Sequence, residues 1–306
     1  MGTIKTFGEV DERSLHQLER CMDPLVKLDS KTLKPVPNLA QSWDVNGANV
    51  TFHLRHDGKW TNGQPVTAND FVYSWLRTIS PNLGADYAYQ FFGIKGAEDY
   101  NSCDPKKDNC NALKAKVGIS APDKYTLKVQ LTSPQPWFIQ QVAHHSFLAV
   151  NKSAVEKWGE KWTQPGHIVT DGPFKLAVWK HDAEIDLAKW NGWRDAKSVK
   201  LTRANGKIIT DGTTAVQSFD AGEVDVNTTG IPPADLPRLK TKDTYQNYPA
   251  LGTYYYGLNV KNVPLQERKA LAFAIDRKEI IDNIAQADQV PATSFVPKGM
   301  TEFSAR

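Results

Sequence analysis

The clearest alternation of apolar and polar residues lies between positions 51 and 79. Thr51 to Arg55 (TFHLR) alternate polar and apolar side chains, which is the period of a half-buried strand. A glycine-containing turn with Trp60 follows, and Thr67 with Asp70 then has the spacing of a capping box in which Asp replaces the usual Glu. Apolar residues recur behind it at helical spacing: Phe71, Val72, Trp75, Leu76 and Ile79. The pattern predicts a strand pair that leads through Asn62-Gly63 into a capped helix.

Two further strand pairs are predicted from the same kind of pattern. Tyr125 to Leu131 alternates cleanly, so one of its faces is expected to be solvated, and Val117 to Ile119 precedes it with a turn over Ala121 to Lys124. Lys175 to Trp179 and Glu184 to Lys189 form the second pair.

Helix signals recur along the chain. Pro134 to Phe138 opens a short helix, and Ser153 with Glu156 has capping-box spacing before a short amphipathic one. A helix over Thr213 to Phe219 is expected to end near Gly222, a natural residue just past a helix C-terminus.

Composition bounds the classes of protein that the chain can belong to. Its 306 residues suffice for two domains with cores of their own. The net charge is +3 and the charges are mixed along the chain, so a nucleic-acid partner is not indicated. No apolar stretch approaches the roughly 18 residues that span a bilayer, and the N-terminal residues lack the apolar segment of an export signal. We therefore expect any such signal to have been removed or not to be included.

Three cysteines differ in their surroundings. Cys103 and Cys110 bracket the polar segment DPKKDN, so a disulfide could close this short loop, which would put the protein outside the cytoplasm. The alternative is two exposed thiols, and a zinc site lacks further ligands nearby. Cys21 is left over and is expected to be buried as a small apolar residue.

Enzyme and metal motifs are missing from the sequence. None of G-x-S-x-G, H-E-x-x-H, G-x-x-x-x-G-K-[ST] or G-x-G-x-x-G occurs. His144 and His145 are adjacent and therefore point in different directions on a helix or strand, which disfavours a shared metal. We expect no enzyme, no cofactor and no metal; an enzyme with two carboxylates of separated pKa is the main alternative.

A long motif carries a family resemblance. Residues 37–74 read P-x-L-A-x-S-W, T-F-x-L-R and G-x-P-x-T-A-x-D-x-V-Y-S, which resembles the identifying segment of the extracellular solute-binding proteins (family 5) of oligopeptide ABC importers. Residues 160–174 (EKWTQPGHIVTDGPF) resemble the pattern EKWTQPGxIVTNGxY of the oligopeptide and murein-peptide branch. TTAVQSFDAGEVD at 213–225 is similar to a third family phrase.

The resemblance implies a fold and a domain organisation. The expected class is α/β, with mixed sheets and flanking helices like those of type II periplasmic binding proteins, in a truncated two-lobe architecture. Residues 1–22 and 152–251 would form the first-lobe core and 23–151 an additional α/β subdomain. Residues 252–306 would hold the strand between the lobes, Leu251 to Asn259, and the start of the second lobe.

The resemblance also implies ligand contacts. Tyr87 best matches a tyrosine that reaches the ligand cleft in similar proteins, although packing of its ring with a surface hydroxyl is an equal alternative. On the strand Leu251 to Asn259, Tyr254 and Tyr256 would share one face and Tyr255 the other, and the resemblance assigns Tyr255 to the pocket. Thr229, Glu9 and Val10 complete the assigned residues.

The implied function is capture of extended oligopeptides between two lobes and delivery to a membrane permease with its ATPases. The protein would be exported to the periplasm or cell surface, peripheral to the membrane and monomeric. Family members continue for much of a second lobe, where an aspartate holds the peptide's α-ammonium, so weak or no high-affinity peptide binding is expected of this chain alone. Alternatives are another solute (murein peptide, signalling peptide, dipeptide or nickel complex) or a peptide-binding scaffold without a transport role.

Overall fold

The computed structural model describes residues 21–227, 230–247, 252–297 and Met300. The chain divides into two compact units, Met1–Ile208 and Ile209–Arg306.

Antiparallel sheets form the framework of the first unit. β1 (Val26–Leu28) pairs with β2 (Pro35–Pro37) in a two-stranded sheet. A four-stranded sheet with the order β3-β4-β6-β5 follows, built from β3 (Ala40–Asn46), β4 (Asn49–Leu54), β5 (Ile119–Asp123) and β6 (Thr126–Gln130). Val50, Phe52 and Leu54 are buried on one face of β4, so the alternation there places a strand as predicted.

The strand β5 lies two residues later than its predicted position. It runs through Ala121 and Pro122, which the sequence assigns to a turn, and pairs with β6 through a register shift between Ser120 and Asp123. Pro122 has no N–H to donate, and for this reason its position is predicted as a turn. It can lie in β5 because this strand is at the edge of the sheet and its pairing is irregular at that point.

Helix α1 (Ala68–Thr78) begins where the capping signal predicts. The Asp70 carboxylate accepts hydrogen bonds from the backbone N–H of Thr67 at 2.7 Å and from its hydroxyl at 2.8 Å. Phe71 and Trp75, at i and i+4, are fully buried against the four-stranded sheet and its neighbours. The opposite face of α1 carries Tyr73 and Arg77, which are half-buried.

An aromatic core surrounds Trp75. Its indole N–H donates to the carbonyl of Phe147 at 2.9 Å, and its ring meets those of Phe91 and Phe147 edge to face. Phe91 and Phe147 stack on each other with centroids 4.1 Å apart. Because Phe91 ends one 3₁₀ turn (Ala88–Phe91) and Phe147 another (His145–Phe147), this stack holds two distant loops together.

Short helices connect these elements, and one of them corrects a prediction. α2 (Ala97–Asn101) and α3 (Cys110–Lys114) flank the loop that holds Cys103, and α4 (Phe138–Gln141) follows β6. α5 (Lys152–Trp158) is capped by Asn151, whose side chain accepts from the N–H of Ala154 at 3.0 Å. Ser153 is therefore not the cap that its spacing to Glu156 predicts, because Asn151 lies at the actual start and is itself a strong cap.

A three-stranded sheet completes the first unit. β7 (Phe174–Lys180), β8 (Glu184–Lys189) and β9 (Arg203–Lys207) pair in sequence order, and the first two are the predicted pair. The carboxylate of Asp186 on β8 pairs with the Arg203 guanidinium on β9, which lowers the pKa of Asp186 below its usual range.

The second unit contains helices in its described residues. α6 (Gly212–Asp220) is followed by α7 (Leu236–Leu239), α8 (Leu265–Ala274) and α9 (Arg277–Glu279). Gly222 has a φ of +74°, its N–H donates to Phe219 and that of Glu223 donates to Ser218. These two hydrogen bonds form a Schellman motif, which is the helix C-terminus expected when glycine follows the last turn.

The strand predicted over Leu251 to Asn259 is wrong for residues 252–259, which belong to no strand. A β-strand exists only where a neighbour supplies its backbone hydrogen bonds, and none of the residues that the structure describes pairs with this segment. Leu251 lies outside the described residues.

Candidate functional site

Tyr87 lies in a cluster of aromatic rings on the first unit. Its ring is 5.2 Å from that of His144, 5.1 Å from that of His145 and 6.1 Å from that of Tyr89, measured between centroids. Tyr87 and both histidines are half-buried, and Tyr89 is 56% exposed. The cluster, which we call the Tyr87 ring cluster, presents flat rings beside donors and acceptors.

The packing of the Phe91 and Phe147 rings explains how residues so distant in sequence meet. Tyr87 directly precedes the turn that ends at Phe91, and His144 directly precedes the turn that ends at Phe147. The side chain of Gln141 adds a hydrogen bond of 2.7 Å to the carbonyl of Gln90. The cluster is therefore anchored to the core rather than carried on free loops.

His144 has a defined protonation state in this cluster. Its Nδ1 accepts from the N–H of Ser146 at 3.3 Å and lies 2.9 Å from the Ser146 hydroxyl. An imidazole that accepts at Nδ1 carries its proton on Nε2. Burial lowers the pKa of His144 below its ordinary value of 6.5, which favours the neutral ring at pH 7.

Sequence reasoning considers His144 and His145 only as a metal pair and does not place them beside Tyr87. No local signal could have done so, because 57 positions separate Tyr87 from His144 and the contact depends on the core beneath. Within the described ranges, no group of three or more His, Cys, Asp or Glu side chains is arranged to hold a metal ion.

The remaining predicted ligand residues lie elsewhere. Tyr255 belongs to the second unit, where its ring packs against Phe295 at 5.1 Å and is 62% exposed. Tyr254 and Tyr256 meet edge to face at 5.9 Å. Glu9, Val10 and Thr229 lie outside the described residues.

A bond between the sulfur atoms of Cys103 and Cys110 closes the polar loop, with their Cα atoms 5.8 Å apart. Cys21 is free and fully buried.

A buried ionic cluster ties distant segments of the first unit together. Asp23, 1% exposed, accepts from the Trp193 indole N–H at 2.8 Å and from the Arg194 guanidinium. Arg194 also donates to the Asn38 side-chain oxygen at 2.6 Å. With these bonds the carboxylate and the guanidinium compensate each other's loss of water, as burial of charge requires.

Asp171 sits at the edge of this cluster in a different state. Its Oδ1 accepts from the N–H of Asp23 at 2.9 Å, whereas its buried Oδ2 has no hydrogen-bond partner among the described residues. Burial, followed by the charge of Asp23, raises the pKa of Asp171 well above 3.8. Burial, with Asp171 as a second cause, also raises the pKa of the Cys21 thiol to about 12, so this thiol is inert.

Gly172 lets the chain pass close to residue 21. A Cβ at this position would lie 2.6 Å from the Cys21 carbonyl carbon, and the Gly172 N–H donates to the Cys21 carbonyl at 2.8 Å. Only glycine permits this backbone contact.

Searched over the described residues, the structure contains no helix long and apolar enough to cross a membrane.

Comparisons with known proteins agree on one family. The profile of the bacterial extracellular solute-binding proteins, family 5 Middle, matches residues 34–305. The dipeptide-binding protein DppE of Bacillus subtilis (strain 168) is 37% identical over 94% of this chain and 52% of its own length. The periplasmic oligopeptide-binding protein OppA of Escherichia coli K12 is 37% identical over 86% of this chain and 49% of its own length.

A solved structure shares the fold. Haemophilus influenzae OppA in complex with RPPGFSPFR superposes with a TM-score of 0.82 and 30% identity, over 96% of this chain and 58% of that chain. This chain thus spans about half the length of the relatives it matches. The predicted mixed α/β fold and the predicted family are both confirmed, and the chain belongs to the bacterial extracellular solute-binding proteins of family 5.

Proposed function

We propose that this chain is part of the substrate-binding component of an oligopeptide ABC importer and that it contacts extended peptides. The observation that carries the proposal is that nearly all of the chain takes the fold of a protein solved with a nine-residue peptide. The names of the relatives, a dipeptide-binding and an oligopeptide-binding protein, support the same ligand class.

The Tyr87 ring cluster suits a peptide chemically. Its rings offer flat apolar surface to a side chain, and the Tyr87 hydroxyl can donate to a peptide carbonyl or accept from an N–H. Because the backbone is common to all peptides, recognition of this kind tolerates many sequences. Tyr255, Thr229, Glu9 and Val10 are proposed as further contacts.

Transport would use closure of two lobes around the ligand. A ligand that bridges both lobes adds more free energy to the closed state than to the open one, and so shifts the population. In this proposal residues 1–22 and 152–251 belong to the first-lobe core, 23–151 to its subdomain and 252–306 to the connection with the second lobe.

The same proposal implies where the protein is located and with which proteins it interacts. The protein would be a monomeric, non-catalytic, exported protein, peripheral to the membrane, that passes peptide to a permease driven by ATPase subunits. The Cys103–Cys110 disulfide supports a location outside the reducing cytoplasm.

Tryptophan fluorescence tests peptide binding, since the chain has nine Trp. We expect a saturable change on titration with a mixture of tri- to pentapeptides, and none with the same amino acids unlinked, because these lack an extended backbone. A folded protein without a saturable response to the peptides would overturn the proposed peptide contacts of this chain.

Two variants at Tyr87 separate the contribution of its ring to peptide binding from that of its hydroxyl. Tyr87→Phe keeps the ring beside His144 and should weaken peptide binding by about threefold to tenfold, the value of one hydrogen bond. Tyr87→Ala also removes the ring and should weaken it further. Wild-type affinity in both variants would exclude Tyr87 as a contact and leave only the family-level proposal standing.

A further inference from the structure

A groove of about 540 Å³ lies along the outer face of α1. The residues that line it do not include those of the Tyr87 ring cluster. Its volume falls within the roughly 300–1,000 Å³ of small-molecule sites. Residues of α1 line one side of this open groove, and Lys114 from α3 and Lys152 from α5 also line it. All of these elements belong to the first unit.

The periodicity of α1 arranges the groove wall in two rows. Asn69, Tyr73 and Arg77 follow one another at four-residue intervals and form a row of polar groups. Val72 and Leu76, both half-buried, form an apolar row beside it. A bound molecule would therefore meet hydrogen-bond donors along one edge and apolar surface along the other.

The residues that line the groove carry only positive charge, and the negative charge of Glu156 acts at its edge on Lys152 and Tyr73. Arg77, Lys114 and Lys152 line it, and no lining residue is Asp or Glu. The Lys152 ammonium lies 5.8 Å from the centre of the Tyr73 ring. Its ion pair with Glu156 is long, at 3.7 Å, and both side chains are more than half exposed, so the pair contributes little and leaves Lys152 able to meet a ligand.

Tyr73 lines the groove together with these cations and carries a hydroxyl group. Burial raises the pKa of the Tyr73 hydroxyl above its ordinary value of 10; the positive charge of Arg77 opposes this rise and the negative charge of Glu156 adds to it. At neutral pH the phenol is therefore protonated and can donate to an anion.

We propose that this groove binds a small organic anion that combines a carboxylate with an apolar body. The carboxylate would pair with the Arg77 guanidinium and the Lys152 ammonium beside the Tyr73 hydroxyl, and the apolar body would lie on Val72 and Leu76. Arg77 also lines a small cavity with His145 of the Tyr87 ring cluster, whereas Lys114 and Lys152 do not, and the proposal does not depend on the proposed function.

The test is a titration of the ¹⁵N-labelled 306-residue chain followed by ¹H–¹⁵N correlation spectra. Hexanoate should shift the Asn69 side-chain and Arg77 Nε resonances saturably, with a Kd on the order of 1 mM for so small a ligand. Hexanamide, which has the same body without the charge, should bind at least about tenfold more weakly. Inorganic phosphate, a charge without the body, should also bind more weakly.

Two variants locate the site. Arg77→Gln and Lys114→Gln should each weaken hexanoate binding, the first by about tenfold, while Lys31→Gln on the β1–β2 turn should leave it unchanged. Lys114 is exposed, so its variant remains informative if Arg77→Gln fails to fold. The peptide titration should be unchanged in Lys114→Gln, which separates this proposal from the proposed function.

Several results would overturn the inference. They are unsaturable shifts with hexanoate, equal affinity for hexanamide, equal affinity for phosphate, or wild-type affinity in both groove variants.

Discussion

Two buried carboxyl groups show how neighbours decide the protonation state of a side chain. Asp23 and Asp171 are both almost fully buried, but Asp23 receives the Arg194 guanidinium and the Trp193 N–H, whereas Asp171 has one backbone donor. Because the charged form of Asp171 is desolvated and faces the charge of Asp23, its pKa is raised. The family pattern T-N-G has Asn at this position, a neutral residue of the same shape.

The variant Asp171→Asn should raise the stability of the protein at neutral pH. Between the unfolded pKa of about 3.8 and the raised folded pKa, the native state binds more protons than the unfolded state, so wild-type stability falls as pH rises through this window. Because Asn does not ionise, the stability of the variant does not fall with pH through this group. We expect its melting temperature to exceed that of the wild type at pH 8, and the difference to shrink toward pH 4.

Thermal unfolding followed by circular dichroism from pH 4 to pH 8 measures this. The exposed Asp86→Asn serves as the control and should change the melting temperature little. A melting temperature of Asp171→Asn that is lower than that of the wild type at every pH would contradict the prediction.

Among the helices, local signals decide where each begins and ends, while covalent and tertiary links decide whether it persists. α2 and α3 have five residues each, too few to be stable alone. The disulfide lies between them, joining Cys103 just after α2 to Cys110, the first residue of α3. The disulfide thus contributes to the stability of the two helices and of the loop between them.

Replacing both cysteines by serine should destabilise the first unit. The bond joins residues seven positions apart, and restricting such a loop in the unfolded chain contributes about 2–3 kcal/mol. We expect the melting temperature of Cys103→Ser/Cys110→Ser to fall by about 5–10 °C. Dithiothreitol should lower the melting temperature of the wild type similarly and leave the double variant unchanged; no effect of reductant on the wild type would contradict the prediction.

For the molecule as a whole, the two units differ in how much apolar surface they bury. The first has a continuous core around Trp75, Phe91 and Phe147. In the second, α8 buries none of its residues, and Phe273 is 88% exposed and Tyr254 89% exposed. Apolar surface of this kind marks an interaction site or a tendency to associate.

This chain should therefore bind the dye ANS through its second unit while remaining folded. Phe273→Ser should lower the ANS emission, because the variant removes a large exposed ring. Lys269→Ser on the same helix is the control: it changes helix propensity without removing apolar surface and should leave the emission unchanged. Equal emission from both variants and the wild type would contradict the assignment of the dye site to α8.

The sequence by itself determines the features that depend on residues close along the chain. The cap of α1, the alternation of β4 and β6 and the glycine stop after α6 depend on side chains within about five positions, where sterics and hydrogen bonding are local. The strands β7 and β8 are also close along the chain, because a short turn joins them. The long motif at 37–74 likewise identifies the family.

Only the tertiary structure decides which of these elements meet. The Tyr87 ring cluster depends on stacking of Phe91 on Phe147, and the bond from Arg194 to Asp23 joins residues 171 positions apart. The missing strand at 252–259 has the same cause, since an extended, tyrosine-rich segment becomes a strand only when another strand pairs with it. Long-range contacts arise from packing and burial of the whole core, and no local pattern of residues encodes them.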